Sequence, residues 1–375
     1  MDFSLSSERQ ILFDTLTKYF RNEYSLERRN ESASSDLGFS RDSWESIASL
    51  GVFDALLKPE LGGFGGDPID IITVFEAIGS GLVIEPVLNS ALMSSMVLSH
   101  GSEQQKAISQ AVLAGEARPI FAHFEDLEQY EIHSVETQST ESGNAFIVNG
   151  TKSAVRHLVG ACHLIFSART SKTSNEKDGI SLFMIPLETS GLTFETFESI
   201  DGGRVSDVTF SNVRINKDSL IGKKDQAISI ISEAIETGTL ALCAEALGIM
   251  ERIKDITLNY LKTRKQFGVP IGKFQTLQHR MTQLFIEIEQ TRSAIMNASF
   301  WFNDSVETRK KYLSAAKYTV GRVGALVAEE SIQMHGGMGM TWEYDLGHFA
   351  KRLIMINHEF GDEDHHLNYY AKFSA

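Results

Sequence analysis

Residues 264 to 279, Arg-Lys-Gln-Phe-Gly-Val-Pro-Ile-Gly-Lys-Phe-Gln-Thr-Leu-Gln-His, constrain this chain more than any other stretch. Gly268, Pro270 and Gly272 interrupt a helix, because proline cannot continue one and glycine readily takes unusual dihedrals. Yet Ile256 to Thr263 reads as helical before them. After them Met281, Leu284, Phe285, Ile288 and Ile295 recur at i, i+3, i+4, i+7 and i+14, the period of one buried helical face. A short bend between two long helices is therefore predicted, with the second starting near Phe274. The bend presents Arg264, Phe267 and Gln275: a fixed cation, an aromatic and an amide. A guanidinium grips phosphate as a fork, and an amide reads a base edge or a phosphate. The set suits a phosphate-containing aromatic ligand, but on residue chemistry alone plain surface charge beside a core aromatic is the commoner reading.

The chain has 375 residues, too many for one core, so two or three domains are expected. Its net charge of −14 argues against non-specific nucleic-acid binding, which needs a basic surface, and leaves room for an anionic ligand in a local basic pocket. Cys162 and Cys243 are the only cysteines, far apart and without metal-ligand spacing, so no metal site and a reducing compartment are expected. The N-terminus lacks a secretory or Arg-rich transit pattern, and no apolar run reaches spanning length. A cytoplasmic protein without a membrane span follows as the expectation.

Three segments are predicted: a helical domain over 1–117, a β domain over 118–222 and a helical bundle over 223–375. In the first, Ser6 or Ser7 can cap a helix whose face is Ile11, Leu12, Leu16 and Phe20, and Trp44, Ile47, Ala48 and Leu50 continue the pattern. Pro59-Glu-Leu-Gly-Gly-Phe-Gly-Gly66 reads as a turn between helices. In the second, strands are predicted at 119–123, 145–152, 164–168, 180–185 and 208–210, with a hairpin turn at Asn149-Gly150. In the third, amphipathic stretches at 225–262, 274–302, 306–337 and 343–357 suggest a four-helix bundle.

The residue order carries more. Arg264-x-x-Phe-Gly-x-Pro-Ile-x-x-Phe-Gln-x-x-Gln-His279, followed by Gln333-Met-His-Gly-Gly-Met-Gly-Met-Thr-Trp-Glu-Tyr344, resembles two signatures of the acyl-CoA dehydrogenase family, in the family's order and spacing. Pro59 to Gly66 and Asp201 to Phe210 are similar to further family segments, so the resemblance spans essentially the whole chain. It implies an α+β fold with an N-terminal α domain, a middle β domain and a C-terminal four-helix bundle. It also implies FAD as cofactor and an acyl-CoA substrate whose α-proton goes to a carboxylate while the β-hydrogen leaves as hydride. Carried over residue by residue, Arg264, Phe267 and Gln275 meet the pyrophosphate and adenine side of FAD across a subunit interface. Gln333, Gly336, Gly337 and Gly339 form a wall where backbone approaches the cofactor. A homo- or hetero-oligomer, dimer or tetramer, is implied, with electron-transfer flavoprotein or a similar acceptor as partner.

Three departures from the pattern are visible. Phe121-Ala-His-Phe-Glu-Asp-Leu-Glu128 stands where many members carry Thr-Glu-Pro-x-x-Gly-Ser-Asp. Ala154-Val-Arg156, followed by His157, replaces Trp-Ile-Thr, leaving His123 and His157 as flavin-edge candidates or as structural histidines. Aligning Gly361 with the family's Tyr-Glu-Gly-Thr puts Phe360 where the catalytic glutamate stands, with Glu359 and Asp362 beside it as the candidate bases. The alternative family position falls at Gly238, near Glu236, while Glu245 reads as a structural or solvated carboxylate. Phe360-Gly-Asp-x-Asp-His-His366 and Ala244-Glu-x-Leu-Gly248 resemble the branch of pimeloyl-CoA dehydrogenase small subunits and bacterial steroid-type enzymes, several of which pair unlike subunits. A partner subunit with an incomplete site, and an oxidase or other flavoenzyme on the same fold, are the competing readings.

Overall fold

The computed structural model describes residues 5–125, 130–171 and 177–373. The chain runs through α1 (Ser7–Asn22), α2 (Leu26–Ser34), α3 (Arg41–Ser49), α4 (Val52–Leu56), α5 (Pro68–Gly81), a π-helical stretch over Val87–Ser94, α6 (Ser95–Leu98) and α7 (Glu103–Leu113). Strands β1 (Pro119–Ala122), β2 (Gln138–Ser142), β3 (Ala145–Arg156), β4 (His163–Arg169), β5 (Ile180–Pro186), β6 (Leu192–Glu198), β7 (Arg204–Asn216) and β8 (Leu220–Ile221) follow. Then come α8 (Ile228–Thr263), the small strands β9 (Lys265–Gln266) and β10 (Val269–Pro270), α9 (Gln275–Phe300), α10 (Val306–His335), α11 (Asp345–His358) and α12 (Glu363–Ala371). By internal packing these form two compact units. One comprises residues 27–67 and 84–238; the other comprises 1–26, 68–83 and 239–375. Among the described residues no helix is long and apolar enough to cross a membrane.

The sheet belongs to the first unit. Its order is β6-β7-β3-β2-β4-β5-β8, with β1 pairing parallel to β4. Alternating residues of these strands fill one core: Phe146 and Val148 of β3, Leu164 and Phe166 of β4, Phe183 of β5, Val208 and Phe210 of β7. Phe166 lies 4.5 Å from Phe210 and 5.6 Å from Phe183, ring centre to ring centre. The Pro59–Gly66 segment packs onto α4. A Cβ at Gly63 would stand 2.1 Å from the Leu57 carbonyl oxygen and one at Gly65 2.0 Å from that of Ala55, so glycine is required here by close approach of two backbones.

The hairpin turn expected at Asn149-Gly150 is not there. Those residues lie inside β3, at a register shift against β7, and the β2–β3 hairpin turns instead at Gly143-Asn144. Gly150 has φ +146°, and a Cβ on it would stand 2.5 Å from Thr137 Cα. A bulge and an approaching chain use the same glycine that a turn would.

α8 has 36 residues and is about 54 Å long, and the second unit is built on its part from Thr239 onward. Buried Met281, Leu284, Ile288 and Ile295 form the inner face of α9, as their period predicts, whereas Phe285 is partly exposed. The bundle helices start and stop within a few residues of the stretches predicted for them. One element was not anticipated: the acidic run after Gly361 begins α12. Asp362 caps that helix, accepting a hydrogen bond from the His365 amide at 2.8 Å.

Candidate active site

The interruption between α8 and α9 is a β-hairpin rather than a simple bend. β9 and β10 pair antiparallel, and the two residues between them, Phe267 (φ +52°) and Gly268 (φ +81°), both take positive φ. That is the backbone of a two-residue turn whose twist matches its strands. The Ile271 amide donates to the Arg264 carbonyl at 2.8 Å and closes the loop. Phe267 is 91% exposed and meets Phe274 edge-on at 6.2 Å. Arg264 and Gln275 are exposed too, and the Arg264 guanidinium has no partner among the described residues.

The second glycine-rich run ends α10. Gly336 has φ +60° and ψ −144°, and a five-residue 3-10 turn, Gly336–Met340, follows. Gln333, Gly336 and Gly337 are exposed and Gly339 is buried. A Cβ at Gly336 or Gly337 would meet nothing within 4 Å, whereas at Gly339 it would press on the His335 side chain at 3.0 Å. So the first two glycines keep an outward surface bare, and Gly339 lets the chain fold back.

One side chain ties the two runs together. His335 stacks on Tyr260 of α8 at 4.3 Å, and Tyr260 donates its hydroxyl to the His335 carbonyl at 3.3 Å. The His335 Nδ1 donates to Ser331 O at 2.8 Å, which fixes Nε2 as the acceptor for the Tyr344 hydroxyl at 3.3 Å. Tyr260 stands one helical turn before Arg264 and accepts that residue's amide, so the hairpin and the glycine run hang from one aromatic stack.

The acidic segment lies at the far end of α11, a helix of 14 residues and so about 21 Å from end to end. Glu359 is partly buried and ion-paired with Arg352. The same guanidinium binds Glu245 of α8 as a fork, Nε to Oε1 at 2.6 Å and Nη2 to Oε2 at 3.0 Å. Glu245 is therefore structural, and Arg352 links α8 to the turn. Glu236, on the first turns of α8, is buried beside Ser232, whose hydroxyl donates to it at 2.5 Å.

In the sheet unit, His123 is buried. Its Nε2 donates to the Ile132 carbonyl at 2.9 Å, and its Nδ1 accepts from Ser167 Oγ at 2.8 Å. Ser167 in turn accepts from Lys152 Nζ at 3.0 Å, and Lys152 also reaches Glu125 at 2.6 Å and the His123 carbonyl at 2.8 Å. Burial and the lysine charge push the His123 pKa down to about 3, so the imidazole is neutral and structural. His157, in left-handed conformation at φ +60°, meets Phe39 edge-on at 6.3 Å. Asp126, Leu127 and Glu128 of the altered segment lie outside the described residues.

The buried charges Lys317 and Arg352 escape a reading by motif. Their signal is a charged residue on an apolar stripe: Lys317 falls on the face of Leu313, Val320 and Gly324, and Arg352 beside Phe349, Leu353 and Ile356.

A guanidinium without a partner among the described residues and a bared glycine run, hung on one aromatic stack, make an open anion-binding surface; comparison with known families gives its class, a flavoprotein oxidoreductase. The acyl-CoA dehydrogenase N-terminal domain model matches residues 6–116 and the acyl-CoA dehydrogenase C-terminal domain model residues 227–374. The chain belongs to the acyl-CoA dehydrogenase family, whose members use FAD. It is 26% identical to the probable acyl-CoA dehydrogenase YngJ of Bacillus subtilis (strain 168), over 92% of each chain. Its fold is that of butyryl-CoA dehydrogenase from Megasphaera elsdenii, at TM-score 0.89 and 22% identity, covering all of both chains. It is equally that of the ChsE4–ChsE5 complex from Mycobacterium tuberculosis, at TM-score 0.88 and 20% identity over 99% of this chain and 98% of that one.

The residues present fit FAD. A guanidinium without a partner, the exposed amides of Gln275 and Gln333, and glycines with open space beside them form a donor set for a diphosphate flanked by aromatic rings.

Proposed function

We propose that this chain binds FAD through Arg264, Phe267, Gln275, Gln333, Gly336, Gly337 and Gly339 and dehydrogenates an acyl-CoA at its α and β carbons. The observation that carries the reading is the Tyr260–His335 stack, which holds the hairpin and the glycine run on one scaffold. Arg264 grips phosphate oxygens, the exposed glycines admit close backbone approach, and Phe267 offers a ring for stacking. When bound, FAD supplies the two-electron acceptor that takes the β-hydrogen as hydride. Glu359 accepts the α-proton at its carboxylate, which Arg352 orients. Asp362 is the weaker candidate, because its carboxylate already caps α12.

A second reading has an observation behind it. Phe360 occupies the motif position of the base, and both neighbouring carboxylates have structural partners. An unlike partner subunit would then complete the site, as suits the branch that the ending of the chain resembles. We also read the protein as cytoplasmic, as a dimer or tetramer that passes electrons to electron-transfer flavoprotein or a similar acceptor. We read its domains as 1–117, 118–222 and 223–375, and the ends of the matched regions at Glu116 and Ala227 support those boundaries.

The test is Arg264→Ala. Losing a charged hydrogen bond costs about 1.5–3 kcal/mol. FAD content of the purified protein should fall, and sedimentation should show weaker association, because binding and assembly are linked when one cofactor spans two chains. Full FAD occupancy with unchanged affinity would refute the assignment.

A further inference from the structure

The turn between α11 and α12 is tied down by a lysine without access to solvent. Lys317 of α10 is fully buried. Its Nζ donates to the Asn357 carbonyl at 3.0 Å, in the last turn of α11, and to the Gly361 carbonyl at 2.6 Å. Free carbonyls at a helix C-terminus carry partial negative charge, so an ammonium there is complementary. From α12, His366 reaches the Phe360 carbonyl at 3.1 Å with Nε2 and Ser314 Oγ of α10 at 3.2 Å with Nδ1. The turn needs such anchoring: Phe360 has φ +58° and Gly361 φ +109°, and a non-glycine residue in left-handed backbone persists only where its surroundings hold it. A Cβ at Gly361 would stand 2.7 Å from His366 Nε2.

The groups that face Lys317 are the Cys243 thiol of α8, Arg352 in the middle of α11, Glu359 just after that helix, Asp362 at the cap of α12, and His366 within it. Burial outweighs the nearby carboxylates and draws the Lys317 pKa from 10.5 to about 8. His366 is driven to about 3 by burial and by the lysine charge, so it stays neutral wherever the enzyme works. Lys317 is thus a buried cation at this turn that titrates well below the ordinary lysine range.

We propose that Lys317 is the positioning residue for the Glu359–Asp362 segment: its two carbonyl contacts set the path of that turn and so where the Glu359 carboxylate stands when it takes the α-proton. This rests on the reading of Glu359 as the base. A charged ammonium holds a carbonyl more strongly than a neutral amine. Deprotonation leaves both contacts possible and weakens each.

The experiment uses the full-length, FAD-loaded protein and two readouts. The first is amide hydrogen exchange at residues 357–362 against the interior of α10. In Lys317→Met, protection at the turn should fall roughly tenfold or more while α10 keeps its own. In the wild type, protection at the turn, corrected for intrinsic exchange, should fall between about pH 7 and pH 9, and Lys317→Arg should abolish that fall. The second is steady-state kinetics with butyryl-CoA as probe: kcat should drop about tenfold with KM little changed, as expected when only the reacting geometry is disturbed. Unchanged protection at the turn, in the variant or across the wild-type pH series, overturns the clamp. A loosened turn with wild-type kcat overturns the positioning role. A wild type whose flavin no acyl-CoA reduces counts against the proposed function instead, and the exchange comparison still decides the clamp without it. The wild-type pH series also stands if Lys317→Met does not fold.

Discussion

Glu359, Asp362 and Arg352 show how little a carboxylate's sequence position says about its work. All three stand within eleven residues near the end of the chain, yet one caps a helix, one is ion-paired, and the guanidinium serves two carboxylates, one from α8 and one from the turn after α11. The proposed roles separate by substitution. Glu359→Gln keeps the shape and loses the proton acceptor, so it should retain FAD while flavin reduction by substrate falls by roughly a hundredfold or more, the scale of a general base. Asp362→Asn still caps α12, because asparagine caps as well as aspartate, and should be mild. Rapid-mixing absorbance of the flavin distinguishes them. Wild-type rates in both variants would move the base to the region of Glu236 or to an unlike subunit.

At the scale of elements, the bundle helices were readable because their apolar residues recur with a helical period that only a buried face explains. Strands were harder. β6 is exposed along most of its length and β2 is polar, so neither carries an apolar run, and both are held by ladder pairing with β7 and β3. Asn149-Gly150 misled for a physical reason: a positive-φ glycine signals a turn and a bulge alike, and which of them forms depends on where the neighbouring strand lies. Gly150→Ala tests this. Its Cβ would meet Thr137, and the backbone is one that alanine rarely adopts, so a destabilisation of roughly 2 kcal/mol or more is expected. The same change at Gly143, open on all sides but with φ +63°, carries backbone strain alone and should cost less. Urea unfolding followed by circular dichroism compares the two, and equal effects would contradict the close approach.

Across the whole molecule, each compact unit buries a neutral histidine: His123 in the sheet unit and His366 in the bundle unit, both with pKa near 3. In the unfolded chain such a group titrates near 6.5. Between these values the unfolded state binds more protons than the folded one, so stability falls as pH is lowered from 6.5 toward about 3. Urea midpoints should be lower at pH 5 than at pH 7, and His366→Gln, which keeps a donor for the Phe360 carbonyl and removes the titration, should recover part of the difference. Equal midpoints at the two pH values would mean these imidazoles are not buried neutral. By itself the sequence determined the helix–sheet–helix order, the hydrophobic faces and the two glycine-interrupted runs proposed to hold FAD, because periodicity, turn chemistry and motif spacing are local properties of a chain. Only the tertiary structure decided that Tyr260 and His335 join those runs, that Arg352 binds Glu245 107 positions away, and that Lys317 holds the turn after α11. Those contacts depend on which side chains meet when helices pack, and low-dielectric burial, which gives a charge its strength, exists only once the chain has closed around it.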